Sequence, residues 1–373
     1  WSAHSPGFQA EGLVYRRDGA VVKGLNPLND WVPVVDVANG GEPIDLYVEA
    51  AGNPNVFESG GFAPTGLGEK ATAGDRPLYR LARADVVVVQ TEVWELVQDL
   101  EVLDQLRCEL PADQPPAWHI LRAIGRALDS VDLDDVAGSA KQARAQLAEA
   151  LDSPAPAGAH RISAVGHAHI DTAWLWPLRE TVRKVARTAS NVVQLLDTHD
   201  DFVFAMSSAQ QFAWLAERRP EVFARVAEHV RGGRFIPVGG MWVESDTNLP
   251  GSEAMARQLV YGKRYFFETF GVDTKEVWLP DSFGYSAALP QLVRLAGSRW
   301  FLTQKISWNR TNRFPHHTFW WEGLDGTRVF THFPPVDTYN SELSGRELAH
   351  AVRNFRDKGG ATRSLVPFGH GDG

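Results

Sequence analysis

A single cysteine, Cys108, stands among 373 residues, so no disulfide can close within the chain. A chain of this size without one suits a reducing compartment, and a cytoplasmic location is expected. No apolar run approaches about 18 residues, which excludes a membrane-spanning helix from the reading. No secretion signal is visible. Basic residues are not in excess either. Lys and Arg number 37 against 46 Asp and Glu, a formal net charge of -9, and nucleic acid or an anionic membrane would need a basic face. A neutral substrate fits better. Hydrophobic residues at 44% and charged residues at 22% are those of an ordinary globular chain, with length enough for two or three domains. The 13 tryptophans are many; most serve a core, although indole faces also stack on sugar rings.

Three regions differ in pattern. Residues 1–75 are rich in Gly, Pro and Asn, with short apolar runs at 31–35 and 45–50, and read as a small β-sandwich-like accessory domain. An independent carbohydrate-binding module is the alternative. Residues 76–155 turn helical, with Val93, Leu96, Leu100 and Leu103 on one stripe, Ile120, Ala123, Ile124 and Leu128 on a second, and a third helix over 137–150. Residues 152–158 form a linker. From 160 to 373 strands and helices alternate, which predicts an α/β catalytic domain with a largely parallel β-sheet flanked by helices. Strands are expected at 161–165, 202–206, 235–238, 276–279, 300–303, 329–332 and 364–368. Helices are expected after Asp171 (Val182, Val185, Ala189, Val192 and Leu196 inward) and over 211–230 and 252–270.

The chemistry concentrates where these strands end. His167, His169 and Asp171 alternate at the close of the first, and alternate strand residues share a face. Two imidazoles and a carboxylate suit Zn²⁺, with Co²⁺ or Mn²⁺ as further candidates; histidines that merely hydrogen-bond in a strand give the same pattern. Asp281 follows the strand 276–279 in Pro280-Asp281-Ser282-Phe283-Gly284. It reads as a corner carboxylate above a sheet, where a nucleophile belongs, and Asp281 or Ser282 reads as the N-cap of the helix carrying Leu289 and Leu292; both can hold together. Glu244, Asp246, Lys305 and Asp372 also fall just past strand ends. Ligands bind beyond the carboxyl ends of strands in such sheets, so one crevice can collect them all. His316 and His317 are adjacent, point to opposite faces, and read as structural.

Six strings carry a resemblance: His169-Ile170-Asp171-Thr172-Ala173-Trp174, then residues 239–248, 279–285, 305–309, 319–326 and 369–373. In this order they resemble the glycoside hydrolase family 38 α-mannosidases, most closely the cytosolic-type branch. The match covers 160–373, and residues 1–159 follow more loosely. The resemblance implies a retaining, metal-dependent exo-α-mannosidase acting on mannose-containing oligosaccharides. It implies His169, Asp171 and Asp281 as metal ligands, with Zn most expected and Co next. Asp281 would also be the nucleophile and Asp372 the acid/base, with Glu244 and Asp246 as fallback acids. Trp174 aligns with the family's sugar-stacking tryptophan; Phe283, Asp246 and Lys305 are expected at the substrate. The family's fourth ligand, a histidine far downstream, has no match here, so the catalytic domain is expected to be C-terminally incomplete, a fragment of a longer polypeptide. Homo-oligomerisation is left open. Two other readings stay in view: a sugar deacetylase-type hydrolase that activates water on the same ligands, and a non-catalytic carbohydrate-binding fragment.

Overall fold

A computed structural model describes residues 10–52, 80–174 and 176–373. Their contacts divide the chain into two units, Trp1–Arg80 with Ala164–Asn340 and Leu365–Gly373, and Leu81–Ser163 with Ser341–Ser364.

The first unit opens with β1 (Ala10–Arg16), which lies between β2 (Val21–Leu25) and β3 (Leu46–Gly52) and is antiparallel to both. The expected strand at 31–35 does not form. The Trp31 carbonyl instead accepts a hydrogen bond from Lys23 Nζ at 3.1 Å, and the same ammonium lies 3.3 Å from the Trp31 ring centroid, so this segment folds back on β2 as a loop. The rest of the expected N-terminal β region, 1–9 and 53–75, lies outside the described residues.

The second unit is helical: α1 (Thr91–Glu109), α2 (Pro115–Asp129), α3 (Val136–Ala145) and the short α4 (Ala148–Leu151). The stripes read from the sequence make its core, with Leu96, Leu103, Ile120, Ala123, Ala127, Ala140 and Leu147 buried together. The single helix expected over 137–150 is two, because Gln146 and Leu147 donate to carbonyls three residues back (3.1 and 2.9 Å), a tighter turn.

Back in the first unit, strands and helices alternate as β4 (Arg161–Ala168), α5 (Leu178–Thr198), β5 (Phe204–Met206), α6 (Ala209–Arg218), α7 (Pro220–Arg231), β6 (Phe235–Pro237) and α8 (Ser252–Phe270). Then follow β7 (Glu276–Leu279), α9 (Leu289–Leu295), β8 (Trp300–Thr303), β9 (Thr318–Glu322) and β10 (Arg328–His332). The helix α10 (Gly345–Asn354), opened by a Ser344–Glu347 capping box, returns to the helical unit, and β11 (Arg363–Phe368) closes the order. The helix expected over 211–230 breaks at Pro220, which has no N–H for the ladder and starts α7 instead.

The strands form two four-stranded sheets. One has the order β11-β4-β5-β6, with β4, β5 and β6 parallel. The other has the order β7-β8-β10-β9, parallel except for the β9–β10 hairpin. The largely parallel β-structure flanked by helices is as expected, but it forms two sheets where one was expected. Val165, Ala205, Val238, Trp278 and Leu302 join residues of both sheets in one small cluster. Outside it, Val185, Val193, Phe204, Phe212, Val226, Phe235 and Phe266 pack the first sheet against its helices. Leu259, Val277, Leu279, Val293, Phe301 and Val329 do the same for the second. Each such side chain contributes roughly 1.5–3 kcal/mol by leaving water.

Two features fix what lies beyond the strand ends. First, α5 buries its polar side as well as its apolar one. Glu180, Lys184, Arg187 and Ser190 are all buried, and β1 supplies Glu11 to them. Second, the loop after β6 rests directly on α8: Trp242 N donates to Gln258 O (2.9 Å) and Val243 N to Gln258 Oε1 (2.8 Å). Gly262 permits this, since a Cβ there would collide with the backbone of Gly240, Met241 and Trp242. Gly262→Ala is therefore expected to lower stability by about 1–3 kcal/mol, read as a lower urea midpoint; an unchanged midpoint would show that the loop yields freely.

Candidate active site

The site begins with a turn the backbone does not adopt readily. β4 ends at Ala168, and Ile170, buried and β-branched, takes φ 45. Such a conformation costs about 1–3 kcal/mol and persists only where the surroundings hold it. Here they do. His169 N and Ile170 N both donate to the Gly371 carbonyl at 2.8 Å, while Gln211 Nε2 donates to the carbonyls of His169 (2.6 Å) and Ile170 (2.7 Å). Gly371 cannot carry a side chain, because a Cβ would enter the His169 ring. Past the turn, Asp171 N donates to Asp372 Oδ1 at 2.8 Å. The loops after β4 and β11 are thus clipped together, although their residues are 201 positions apart in sequence.

Asp281 arrives from the end of β7. It caps no helix, since α9 begins eight residues later with Ala288 at its N-cap position. Its Oδ1 accepts from the Tyr339 hydroxyl at 2.7 Å and pairs with Lys305 Nζ. Lys305 is buried, with its ammonium 3.4, 4.4 and 5.0 Å from the ring centroids of Trp308, Phe283 and Tyr339. Its charge is engaged by Asp281 and these rings.

Three carboxylates converge on one imidazole. His169 Nε2 lies 3.6 Å from Asp281 Oδ2, 3.9 Å from Asp171 Oδ1 and 3.9 Å from Asp372 Oδ1. Glu244 stands close by, hydrogen-bonded through its carboxylate to Ser207 Oγ and through its N–H to Ser208 Oγ at 3.0 Å. Burial works against protonating His169, but Asp372, Glu244, Asp281 and Asp171 together outweigh it and raise its pKa. Burial, then the neighbouring Asp372, lifts Asp171 to about 7; burial likewise lifts Glu244 to about 7. Burial and then Asp281 push Tyr339 upward, which keeps its hydroxyl a donor.

Both ring nitrogens of His169 are buried without a hydrogen-bond partner. His169, Asp171 and Asp281 each offer a ligand atom, all within 4.8 Å of one another. An orphaned imidazole facing crowded carboxylates is a donor set that a divalent cation fits, so these three residues can hold a metal. His167 does not join them. Its ring stacks beneath His169 at 5.4 Å and lies 5.7 Å from Trp278, buried below the cluster, because the strand alternation stops at Ala168. Burial, then His169, holds its pKa well below the usual histidine value.

The remaining expected residues are placed as follows. Trp174 is 47% exposed, with its ring against Trp176 at 6.0 Å, three residues past Asp171. Phe283 is 73% exposed and packs edge-on against Trp308 at 5.8 Å. Asp246 turns away into its own loop, where Oδ1 accepts from Asn248 N and Leu249 N at 2.7 Å each. Tyr339 was not anticipated; an aromatic residue just past β10 is its only sequence signal.

The model of the glycosyl hydrolases family 38 N-terminal domain matches residues 159–373, and that of an alpha-mannosidase jelly roll domain matches residues 5–87. The chain is 43% identical over 373 residues to Alpha-mannosidase 2C1 of Homo sapiens, covering 97% of this chain and 34% of that protein. It is 36% identical over 368 residues to Alpha-mannosidase G of Dictyostelium discoideum (97% and 33% covered). It is 37% identical over 345 residues to Alpha-mannosidase of Saccharomyces cerevisiae (88% and 31% covered). The chain therefore spans about a third of the length of these relatives.

The raised acids set a pH dependence. Glu244 keeps its proton in the folded state up to about 7 but loses it near 4.5 when unfolded, so stability falls as pH rises between those values and levels off above. In metal-free protein, Glu244→Gln should remove that part of the fall, about 2–3 kcal/mol between pH 4.5 and 7.5 in urea unfolding. Equal pH dependence in the two proteins would contradict it.

Proposed function

The chain belongs to glycoside hydrolase family 38, and on that premise we propose that it carries the centre of a retaining, metal-dependent α-mannosidase that removes terminal α-linked mannose from oligosaccharides. The observation that carries this reading is the convergence of Asp281 and Asp372 within 3.9 Å of one His169 nitrogen. Retention needs a nucleophilic carboxylate and a carboxylic acid set close together, about 5–5.5 Å apart.

Asp281 is the nucleophile. Tyr339 and Lys305 fix its Oδ1, so the carboxylate presents to the anomeric carbon in one orientation. Asp372 is the acid/base. Its Oδ1 is engaged by the Asp171 N–H, which leaves Oδ2 to carry the proton given to the departing oxygen and later taken from water. His169, Asp171 and Asp281 hold the divalent cation, with zinc the first candidate and cobalt the second. Bound there, a cation would supply positive charge for the sugar hydroxyls. The exposed ring of Trp174 stacks on the sugar, with Phe283 beside it. We place the protein in the cytoplasm, on its lone Cys108 and on its similarity to cytosolic-type mannosidases. No helix among the described residues is long and apolar enough to cross a membrane.

The test is aryl release from an aryl α-mannoside by the full natural polypeptide, before chelation, after it, and after Zn²⁺ or Co²⁺ is returned. Activity should vanish and come back. Asp281→Ala should lower it by at least about a thousandfold. No release under any condition, or full turnover by Asp281→Ala, would refute the assignment.

A further inference from the structure

The helix α5 carries a buried ionic layer that the chemistry above does not use. Lys184 Nζ donates to Glu11 Oε1 and Oε2 at 2.9 and 3.1 Å, and Arg187 pairs with both Glu11 and Glu180. All four side chains are buried: Lys184 is 1% exposed and Glu11 3%. Charges so removed from water are tolerated only when they are paired. Glu11 is the member that comes from β1, about 170 residues from the others in sequence.

The layer borders the reaction site. A void of about 10 Å³, room for a single water at most, is lined by Glu11, Lys184, Arg187, Thr188 and Asp372. Thr188 Oγ1 lies against Gly373, where a Cβ would meet it at 2.7 Å, so the Asp372 loop rests on α5 one turn from Lys184. The first turn of α5 is also tied to the metal-site loop. Thr181 Oγ1 accepts from Trp176 Nε1 at 3.1 Å and donates to the Asp171 carbonyl at 3.2 Å, while the Trp176 ring lies 4.5 Å from Lys184 Nζ. Burial pulls the Lys184 pKa down, Glu11 pulls it back, and Asp372 adds to that pull across the void.

A buried ammonium deprived of its carboxylate seeks another. With Glu11 neutral, Lys184 loses the carboxylate that it donates to, and Asp372 lines the same void. We propose that Glu11, on the N-terminal sheet, is a positioning residue for the reaction: by holding Lys184 it keeps that ammonium from closing on Asp372. The inference rests on the mannosidase reading and on Asp372 as acid/base. It makes the N-terminal sheet part of the catalytic apparatus through one carboxylate.

The experiment measures kcat and KM of the full natural polypeptide on two substrates. Phenyl α-mannoside has a poor leaving group that needs a proton; 2,4-dinitrophenyl α-mannoside has a leaving group that does not. Asp372→Asn provides the reference signature, a large kcat/KM loss on the first and a small one on the second, because kcat/KM reports the step in which the aryl group leaves. Glu11→Gln should show the same asymmetry, with kcat/KM on the phenyl substrate lowered by about tenfold to a hundredfold and that on the dinitrophenyl substrate little changed. Glu11→Asp, which keeps the charge, should restore it. Glu11→Gln with Lys184→Met should match Lys184→Met alone, because Glu11 matters only through Lys184; this comparison also stands if Glu11→Gln by itself does not fold. Equal loss on both substrates, or a double variant slower than Lys184→Met, would overturn the inference and leave Glu11 a stabilising residue. An unsubstituted polypeptide inactive on both substrates would overturn the mannosidase reading itself, and this inference with it.

Discussion

Like charges held a few ångströms apart in a water-poor pocket repel, and a folded chain keeps them there only if something positive completes the set. Asp171, Asp281 and Asp372 lie within 3.9 Å of one His169 nitrogen, with Glu244 close enough to share the field. Burial first, and the neighbouring carboxylates after it, raise Asp171 and Glu244 to about 7, so both retain protons more readily. Lys305 answers for Asp281. For the remainder, His169, Asp171 and Asp281 are placed so that they can hold a cation. The left-handed turn at Ile170, the side-chain-free Gly371 and the double donation by Gln211 hold the carboxylates in place against their repulsion.

Behind the cluster the structure is built to resist movement. Two parallel sheets meet in a small apolar cluster, and the helices outside them carry larger aromatic cores around Phe212, Phe266 and Phe301. On that base, loops from four separate strand ends converge. Their closeness depends on backbone contacts that admit no side chain, at Gly262 under the Glu244 loop and at Gly371 under Asp372. The ionic layer on α5 extends the same logic outward, since its buried cations are paired with Glu11 from β1.

Much of this was legible in the sequence where the signal is local. The helix over 252–270 and the strands over 276–279 and 300–303 fall where their patterns put them, because period and turn chemistry act over a few residues. His169, Asp171, Asp281 and Asp372 were likewise readable as strand-end residues. What escaped depends on distant partners. The contact of Tyr339 with Asp281 spans 58 residues and is invisible to any window. Alternation suggested that His167, His169 and Asp171 share a face, yet it ends at Ala168, and the turn at Ile170 is stabilised by Gly371 and Gln211 from elsewhere. Asp246 looked available but serves its own loop, a short-range competition that a carboxylate two residues before a backbone N–H often wins.

The central claim is that this cluster is a cation site, and the most direct test is calorimetric titration of the chain with Zn²⁺ near pH 6.5 in two buffers of different ionisation enthalpy. The account predicts one ion per chain with net proton release, since raised carboxyls and the His169 imidazole must give up protons to it, and loss of that binding in His169→Ala and Asp281→Ala. Absence of binding, or binding that neither releases protons nor depends on those two residues, would contradict it.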